Sequence, residues 1–397
     1  MVKGLQKLFK QRVLHESNRS GSLVLHLAFS SVALLSQSCA EVPEDEETPS
    51  VSPRFLYVAS GSCFAGTGNT TFTNFTASNL IFRVNLQSGI RDRVIADYNA
   101  APAQPGDTPT GLAVSATGAV FVAVDNSVAG ARRIEQMSSA ANAPRSLLTA
   151  NTTALSAALR SMALLSNGDL LVSKSSAIER FTSTGVRITK GANPYINAPA
   201  APCATSTTLM TKVGVISNGL IAFAHAAATQ NRFGFVRASG YAVPTDCTPA
   251  QTAPNANASP SAVAYDSVNS RLIVAYSGST TTTDINSIYI YPLTQTATTV
   301  TLGAGVKVYD SSDFPGVYSY LLYGITDMVL DPLTNKLYVA TANASTATVA
   351  NFQIEALNYN PALLGVTNQA VLTKPLGPPF YGFGVDTKCI SQMAIGN

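Results

Sequence analysis

The sequence predicts an all-β protein made of repeated four-stranded units, and three observations lead to this prediction. Apolar runs of strand length recur from residue 54 onward, with turn residues between them. Charged residues make up only 12% of the 397 residues, and Trp is absent, a composition that does not suit a coiled coil or a helical bundle. A two-strand unit also returns along the chain at spacings of 50 to 65 residues.

The clearest copy of this unit is "ITDMVLDPLTNKLYVATAN" at residues 325–343, in which two apolar runs flank a polar turn. Further copies begin at Thr110, Arg160, Thr211 and Ser261, and "SQMAIGN" from Ser391 supplies only the first half. Aligning the copies gives a column of mostly small residues: Ala113, Ala163, Gly214, Ala264, Val329 and Ala394. This period, with about four strands per unit, is typical of a propeller or a solenoid, and small residues suit strands crowded around a propeller axis.

The two ends of the repeat region complement each other. We label the strands of one blade a to d from the axis outward. The tail is a strand a without partners, and "RFLYVASG" at residues 54–61 is a strand b that lacks its strand a. The sequence therefore predicts a six-bladed β-propeller over residues 54–397, whose closing blade combines the C-terminal strand a with N-terminal strands b to d and leaves no open edge.

Four cysteines remain in this region, an even number that suits an oxidising compartment. Cys389 opens the last strand a, and Cys63 follows the first strand b, so these residues meet if the two strands pair. Cys203 and Cys247 bracket the repeat that begins at Thr211. We expect the disulfides Cys63–Cys389 and Cys203–Cys247, with four free thiols as the alternative.

The first 53 residues are expected to direct and tether the chain. A basic stretch precedes the apolar run "SLVLHLAFSSVALL", which suits a signal-peptide core and is short for a membrane span. Cys39 follows in "LLSQSCAEV", which resembles the lipobox of bacterial lipoproteins. That resemblance implies a signal peptide over residues 1–38, a lipid on Cys39 and a flexible acidic tether over residues 39–53. An ordinary cleaved signal is the alternative.

Removal of residues 1–38 would also remove most of the positive charge. This segment holds five of the 25 basic residues and one of the 22 acidic residues, so 20 and 21 remain and the net charge becomes −1. The remaining chain has no basic footprint for nucleic acid, and no nucleic-acid partner is expected.

Few residues suggest catalysis. His225 is the one histidine after residue 38, and we expect a structural role for it. No catalytic residue, metal site or cofactor is predicted. Near the start of strand a, the repeats align in one column of mixed residues: Gly111, Ser161, Lys212, Ala262, Asp327 and Gln392. We expect Arg160, Lys212, Asp327 and Gln392 to line the mouth of the central channel. Six-bladed lactonases resembling regucalcin hold an axial metal with several oxygen ligands, whereas this column has one carboxylate beside a lysine, so an enzyme is only the alternative.

Three long segments of adjacent blades carry many aromatic residues, which on loops of a rigid scaffold suggest recognition. The predicted binding residues are Phe64, Phe72, Phe75, Tyr309, Phe314, Tyr318, Tyr320, Phe380, Tyr381 and Phe383. Such loops can instead fold inward and cover the ends of the blades, and this alternative stays open.

The segments "NKLYVATAN" and "RFLYVASGS" resemble the YVTN- and NHL-type repeats of bacterial propellers. The sequence is thus interpreted as a lipid-anchored propeller of the bacterial cell envelope, at the outer membrane or cell surface rather than the inner membrane. It is expected to bind a protein or glycan at the strand-a mouth face. A structural part of an envelope assembly is a further alternative, since such folds serve many functions.

Overall fold

The computed structural model describes residues 53–61, 78–126, 128, 130–174, 177–189, 196–197, 210–216, 220–225, 232–237, 247–252, 258–278, 287–295, 300–310, 325–343, 351–366, 370–375, 380–382 and 389–397. Pro53–Asn397 form one compact unit. The described part of this unit is almost entirely strands and turns, so the all-β prediction is confirmed.

The strands of the first half are β1 (Phe55–Ser60), β2 (Leu80–Asn85), β3 (Arg91–Asp97), β4 (Thr108–Val114), β5 (Val120–Asp125), β6 (Arg133–Met137), β7 (Ser146–Thr149), β8 (Leu159–Leu164), β9 (Leu170–Lys174), β10 (Ala177–Phe181), β11 (Arg187–Ile188) and β12 (Ile196–Asn197). Those of the second half are β13 (Met210–Ile216), β14 (Leu220–His225), β15 (Arg232–Arg237), β16 (Cys247–Thr252), β17 (Ala258–Asp266), β18 (Arg271–Gly278), β19 (Ser287–Gln295), β20 (Val300–Leu302), β21 (Val306–Asp310), β22 (Asp327–Asp331), β23 (Lys336–Asn343), β24 (Asn351–Tyr359), β25 (Leu372–Thr373), β26 (Tyr381–Gly382) and β27 (Gln392–Gly396). A 3-10 turn covers Pro361–Leu363.

The described strands form six antiparallel sheets. Five of them contain consecutive strands: β4 to β7, β8 to β12, β13 to β16, β17 to β21, and β22 to β26. The sixth has the order β27-β1-β2-β3 and joins the end of the chain to its first strands. In this sheet Tyr57 lies opposite Ala394 and Val58 opposite Met393, so the predicted pairing of the two ends is confirmed.

The inner strands β27, β4, β8, β13, β17 and β22 contact one another in this cyclic order, and β22 contacts β27. Apolar side chains from the facing surfaces of neighbouring sheets form separate core clusters, for example between β4–β7 and β8–β11. This arrangement of sheets around an axis is a β-propeller, as the repeat predicted.

Neighbouring inner strands approach one another closely at Gly111 of β4. A Cβ on Gly111 would lie 2.9 Å from the backbone nitrogen of Met162 in the neighbouring strand. Such a distance is shorter than van der Waals contact, so glycine is the residue that fits there. We call the end of the axis where the inner strands begin the start face, and the end where they turn into the second strands the turn face.

Candidate functional site

The column of mixed residues at the strand-a starts lies at the axis and is buried. Lys212 is 4% exposed and Asp327 is 5% exposed, while Ser161 and Gln392 are also buried. We call these four residues the axial belt. The predicted mouth residues Lys212, Asp327 and Gln392 do lie at the axis, but they are buried, because their side chains reach neighbouring strands.

Gln392 connects three inner strands. Its Oε1 accepts hydrogen bonds from the backbone N–H of Leu112 at 3.0 Å and of Met162 at 2.9 Å. The Ser161 hydroxyl donates to the same oxygen at 3.2 Å, and the Gln392 amide donates to the Met162 carbonyl oxygen at 2.5 Å. One amide side chain thus satisfies backbone groups of β4 and β8 that face the axis, where strands of different sheets do not pair.

The other two residues of the belt, Lys212 and Asp327, connect β13 to β22. The Lys212 Nζ lies 3.0 Å from Asp327 Oδ1 and also donates to the carbonyl oxygen of Ser391. The second carboxylate oxygen, Oδ2, accepts from the backbone N–H of Met393 at 2.5 Å. Burial raises the pKa of Asp327, and the charge and hydrogen bond of Lys212 offset that effect only in part.

These contacts bear on the axial metal of the lactonase alternative. A hard divalent cation needs about six to eight oxygen ligands. Asp327 is the one carboxylate of the belt, and both of its oxygens already have partners within the protein. The donor set does not fit such an ion, and no cluster of three metal-ligating side chains occurs among the described residues.

The layer above the belt, toward the start face, also bonds to the backbone. The Ser391 hydroxyl donates to the carbonyl oxygens of Ala59 and Pro109 at 3.0 and 2.9 Å, and the Thr110 hydroxyl donates to Ala123 at 3.3 Å. Arg160 is half-buried in this layer. Burial lowers the pKa of Arg160 to about 10, although the nearby carboxylate of Asp125 opposes the shift. Arg160 is thus the one residue of the predicted channel mouth that is partly accessible to solvent.

On the other side of the belt the axis contains a cavity of about 290 Å³. Lys212, Asp327 and Gln392 form its floor. Its wall consists mainly of aliphatic residues from the inner strands, including Ala163, Leu164, Val215, Leu330, Ala394 and Ile395. The column of small residues in the sequence placed Ala163 and Ala394 near the axis, but no pattern in the sequence identified a cavity.

Three of the predicted aromatic binding residues can be placed, and they pack inward. Tyr309 is 2% exposed within a core cluster. The ring centroids of Phe380 and Tyr338 are 4.9 Å apart, and those of Tyr381 and Phe82 are 5.7 Å apart. The prediction of exposed binding residues is therefore wrong for Tyr309, and the inward-folding alternative holds for Phe380 and Tyr381. The other seven lie outside the described residues: Phe64, Phe72, Phe75, Phe314, Tyr318, Tyr320 and Phe383.

The other predicted residues are placed only in part. Cys389 is buried and disulfide-bonded. Its predicted partner Cys63, together with Cys39 and Cys203, lies outside the described residues. Cys247 begins β16 and His225 ends β14, where His225 lies opposite Met210 and Arg232. The pairings thus stay predictions.

Sequence reasoning missed two buried ionic networks, because no repeat column carries them. Arg133 binds Asp107 at 2.5 Å and Glu135 at 2.6 Å, and the Tyr98 hydroxyl donates to Glu135 at 2.7 Å. In the next sheet Glu179 accepts from Lys174 at 2.7 Å and from Arg187. Every charged group in these networks has a partner, which is typical of structural pairs.

The chain matches no protein-family model, and no curated protein matches its sequence. Solved structures do match its fold. A chain of a nidogen/laminin complex has a TM-score of 0.52 at 10% identity, with 86% of this chain and 98% of that chain covered. A Bacteroides caccae protein of unknown function gives 0.47 at 14% identity, with 87% and 98% covered. A gluconolactonase from Xanthomonas campestris gives 0.36 at 13% identity, with 59% and 68% covered.

At 10% identity the likeness to the chain of the nidogen/laminin complex shows the fold alone, and it agrees with the sheets described above. The chain is a protein of the β-propeller class. Within the described part of the chain, no helix has the length and apolar character needed to cross a membrane.

Proposed function

We propose that this protein is a lipid-anchored, non-enzymatic binding propeller of the bacterial cell envelope. In this proposal the six sheets act as six blades of one closed ring, and a protein or glycan partner binds at the start face. The observation that carries the proposal is the state of Asp327. The only carboxylate of the axial belt is buried against Lys212, so among the described residues the belt supports the ring and offers no free acid, base or metal ligand set.

The position of the first strand supports the orientation. Arg54, which precedes β1, binds both carboxylate oxygens of Asp331 at 2.7 Å, and Asp331 ends the inner strand β22. The chain therefore joins the propeller at the turn face. A lipid on Cys39, connected by the acidic tether, would hold the turn face toward the membrane and present the start face away from it.

The partner can be tested with chain 40–397, which contains the compact unit Pro53–Asn397, immobilised and crosslinked to an envelope extract. The test variant is Tyr318→Ser with Tyr320→Ser. The matched control is Val268→Ser with Leu333→Ser, because both of those apolar residues are 76% exposed in turns of the turn face. Loss of capture in the tyrosine variant only would support the proposal. Equal capture by both variants, or loss in the control only, would contradict it.

Treatment of the extract before capture separates the two partner classes. Protease treatment should abolish capture of a protein partner, and glycosidase treatment should abolish capture of a glycan. The anchor is tested separately in cells. We expect a lipid-modified Cys39 at the N-terminus in the membrane fraction, and a Cys39→Ser variant should shift to the soluble fraction. An unmodified N-terminus beyond Cys39 in soluble protein would contradict lipid anchoring.

A further inference from the structure

The cavity beyond the axial belt has the character of a second binding site. We propose that it binds a small, uncharged, apolar molecule that enters from the turn face. The cavity lies at the opposite end of the axis from the proposed partner site and would bind a different class of ligand. It does not depend on what binds at the start face.

The wall of the cavity exposes apolar surface on the innermost strands. Leu164, Val215, Leu330 and Ile395 line the cavity and are half-buried, so part of their apolar surface stays accessible although their strands lie at the axis. Met162 of the same strand β8 also lines the cavity, but it is fully buried and belongs to a core cluster between sheets. Ligand pockets are mostly apolar with a few fixed polar groups, and transfer of the ligand and wall from water favours binding.

The floor explains why the ligand should be uncharged. The charges of Lys212 and Asp327 are paired at 3.0 Å and cancel one another. The Gln392 amide oxygen and nitrogen already bond to β4 and β8. A charged ligand would lose its hydration without finding an opposite charge, whereas an apolar ligand needs no partner there.

Exposure along the inner strands shows the direction of access. The floor residues are buried, while Val114 and Ile395 near the ends of their strands are only half-buried. These two residues also line a second, smaller cavity of about 170 Å³ together with Arg54, Ala116 and Asn397. Because these three residues lie at the turn face, the two cavities form a path from that face to the belt.

The volume limits the size of the ligand. An apolar cavity of about 150 Å³ holds benzene. A cavity of about 290 Å³ therefore suits a compact molecule of two or three fused or linked rings, or an aliphatic molecule of similar volume.

The experiment titrates chain 40–397 with N-phenyl-1-naphthylamine, a neutral probe whose fluorescence rises in apolar surroundings. We expect saturable binding with one site per chain. The sulfonated analogue, 1-anilinonaphthalene-8-sulfonate, should bind at least tenfold more weakly, because its charge has no partner at the floor. Absence of saturable binding by the neutral probe, or equal binding of the two probes, would overturn the proposal.

Two cavity-filling variants locate the site. Ala163→Phe and Ala394→Phe each place a ring in the cavity, and each should weaken binding of the neutral probe at least tenfold. Ala140→Phe adds the same ring at an exposed position and should leave binding unchanged. Thermal melting verifies that each variant folds. Unchanged binding in a folded filling variant would overturn the proposal.

A photolabelling measurement on the unsubstituted chain does not depend on whether the variants fold. An azide derivative of the neutral probe should label peptides that contain the inner strands β8, β13, β22 or β27. Labelling confined to peptides outside the inner strands would place the probe elsewhere and overturn the proposal.

Discussion

The Lys212 Nζ lies 3.0 Å from Asp327 Oδ1, although the strands that carry these residues, β13 and β22, are separated by β17. The same ammonium group also donates to the Ser391 carbonyl oxygen, just before β27. One buried ion pair thus connects three sheets that are not all neighbours. Its charges are hidden from water, so each depends on the other for stabilisation.

Lys212→Met should destabilise the protein strongly, because it leaves the buried Asp327 carboxylate without its cation. Loss of one partner of a buried ion pair costs about 3–5 kcal/mol. Urea unfolding at pH 7 measures the change. The double variant Lys212→Met with Asp327→Asn should recover most of the loss, since Asn is neutral and keeps an acceptor for the Met393 N–H. A double variant less stable than the single one would contradict this explanation.

Gln392→Ala should lower the free energy of unfolding by about 3 kcal/mol, because buried backbone groups of Leu112 and Met162 lose their partner and each unsatisfied group costs about 1–3 kcal/mol. The matched control is Gln87→Ala, since Gln87 is exposed and lies in a turn. Its effect should stay within about 0.5 kcal/mol. Similar urea midpoints for the two variants would mean that the hydrogen bonds of Gln392 do not hold the inner strands together.

Phe380→Ser with Tyr381→Ser should destabilise the protein by about 2 kcal/mol, because both half-buried rings pack on the aromatic residues Tyr338 and Phe82. Thermal melting compared with the Tyr318→Ser, Tyr320→Ser variant checks this expectation. An unchanged melting temperature would return Phe380 and Tyr381 to the set of candidate binding residues.

The repeat columns made the fold predictable from the sequence. The alignment of Ala113, Ala163 and Ala394 in one column identified inner strands, and the half repeat from Ser391 indicated its pairing with the first strand. Both follow from alternation of side chains in strands, which is a local property of the sequence. Pairing of the chain ends then follows because an unpaired inner strand would leave buried backbone groups unsatisfied.

For the site, the sequence predicted only the height of its residues along the axis. The columns placed Lys212, Asp327 and Gln392 at the same height, but which strand each long side chain reaches depends on the radius of the ring. That radius is set by packing between sheets, and no local pattern encodes it. The exposure of the aromatic residues could not be predicted for a related reason. Tyr309 and Phe380 look the same in the sequence whether their rings cover a core or contact a partner.

The predicted disulfides can be checked by peptide mapping without reduction. We expect links between Cys63 and Cys389 and between Cys203 and Cys247. A Cys389→Ser variant should lose about 6 kcal/mol of stability if chain entropy governs the effect, because the Cys63–Cys389 link closes a very long loop. Recovery of Cys389 linked to Cys203 or Cys247 would contradict the predicted pairing.

Asp331 and Asp327 should give opposite pH dependences of stability. Burial alone would raise the pKa of Asp331, but hydrogen bonds from Arg54, Thr334 and the Leu333 N–H together lower it below its ordinary value of 3.8. A carboxylate with a lowered pKa stabilises the folded state above the ordinary value, and this contribution is lost as the pH falls below it. The cost of Asp331→Asn in urea unfolding should therefore be smaller at pH 3 than at pH 7.

Burial raises the pKa of Asp327, so its contribution to stability is lost as the pH rises above 3.8. The cost of Asp327→Asn should therefore be larger at pH 3 than at pH 7. Costs that change in the same direction for both variants would show that the environment of one carboxylate differs from the contacts described above.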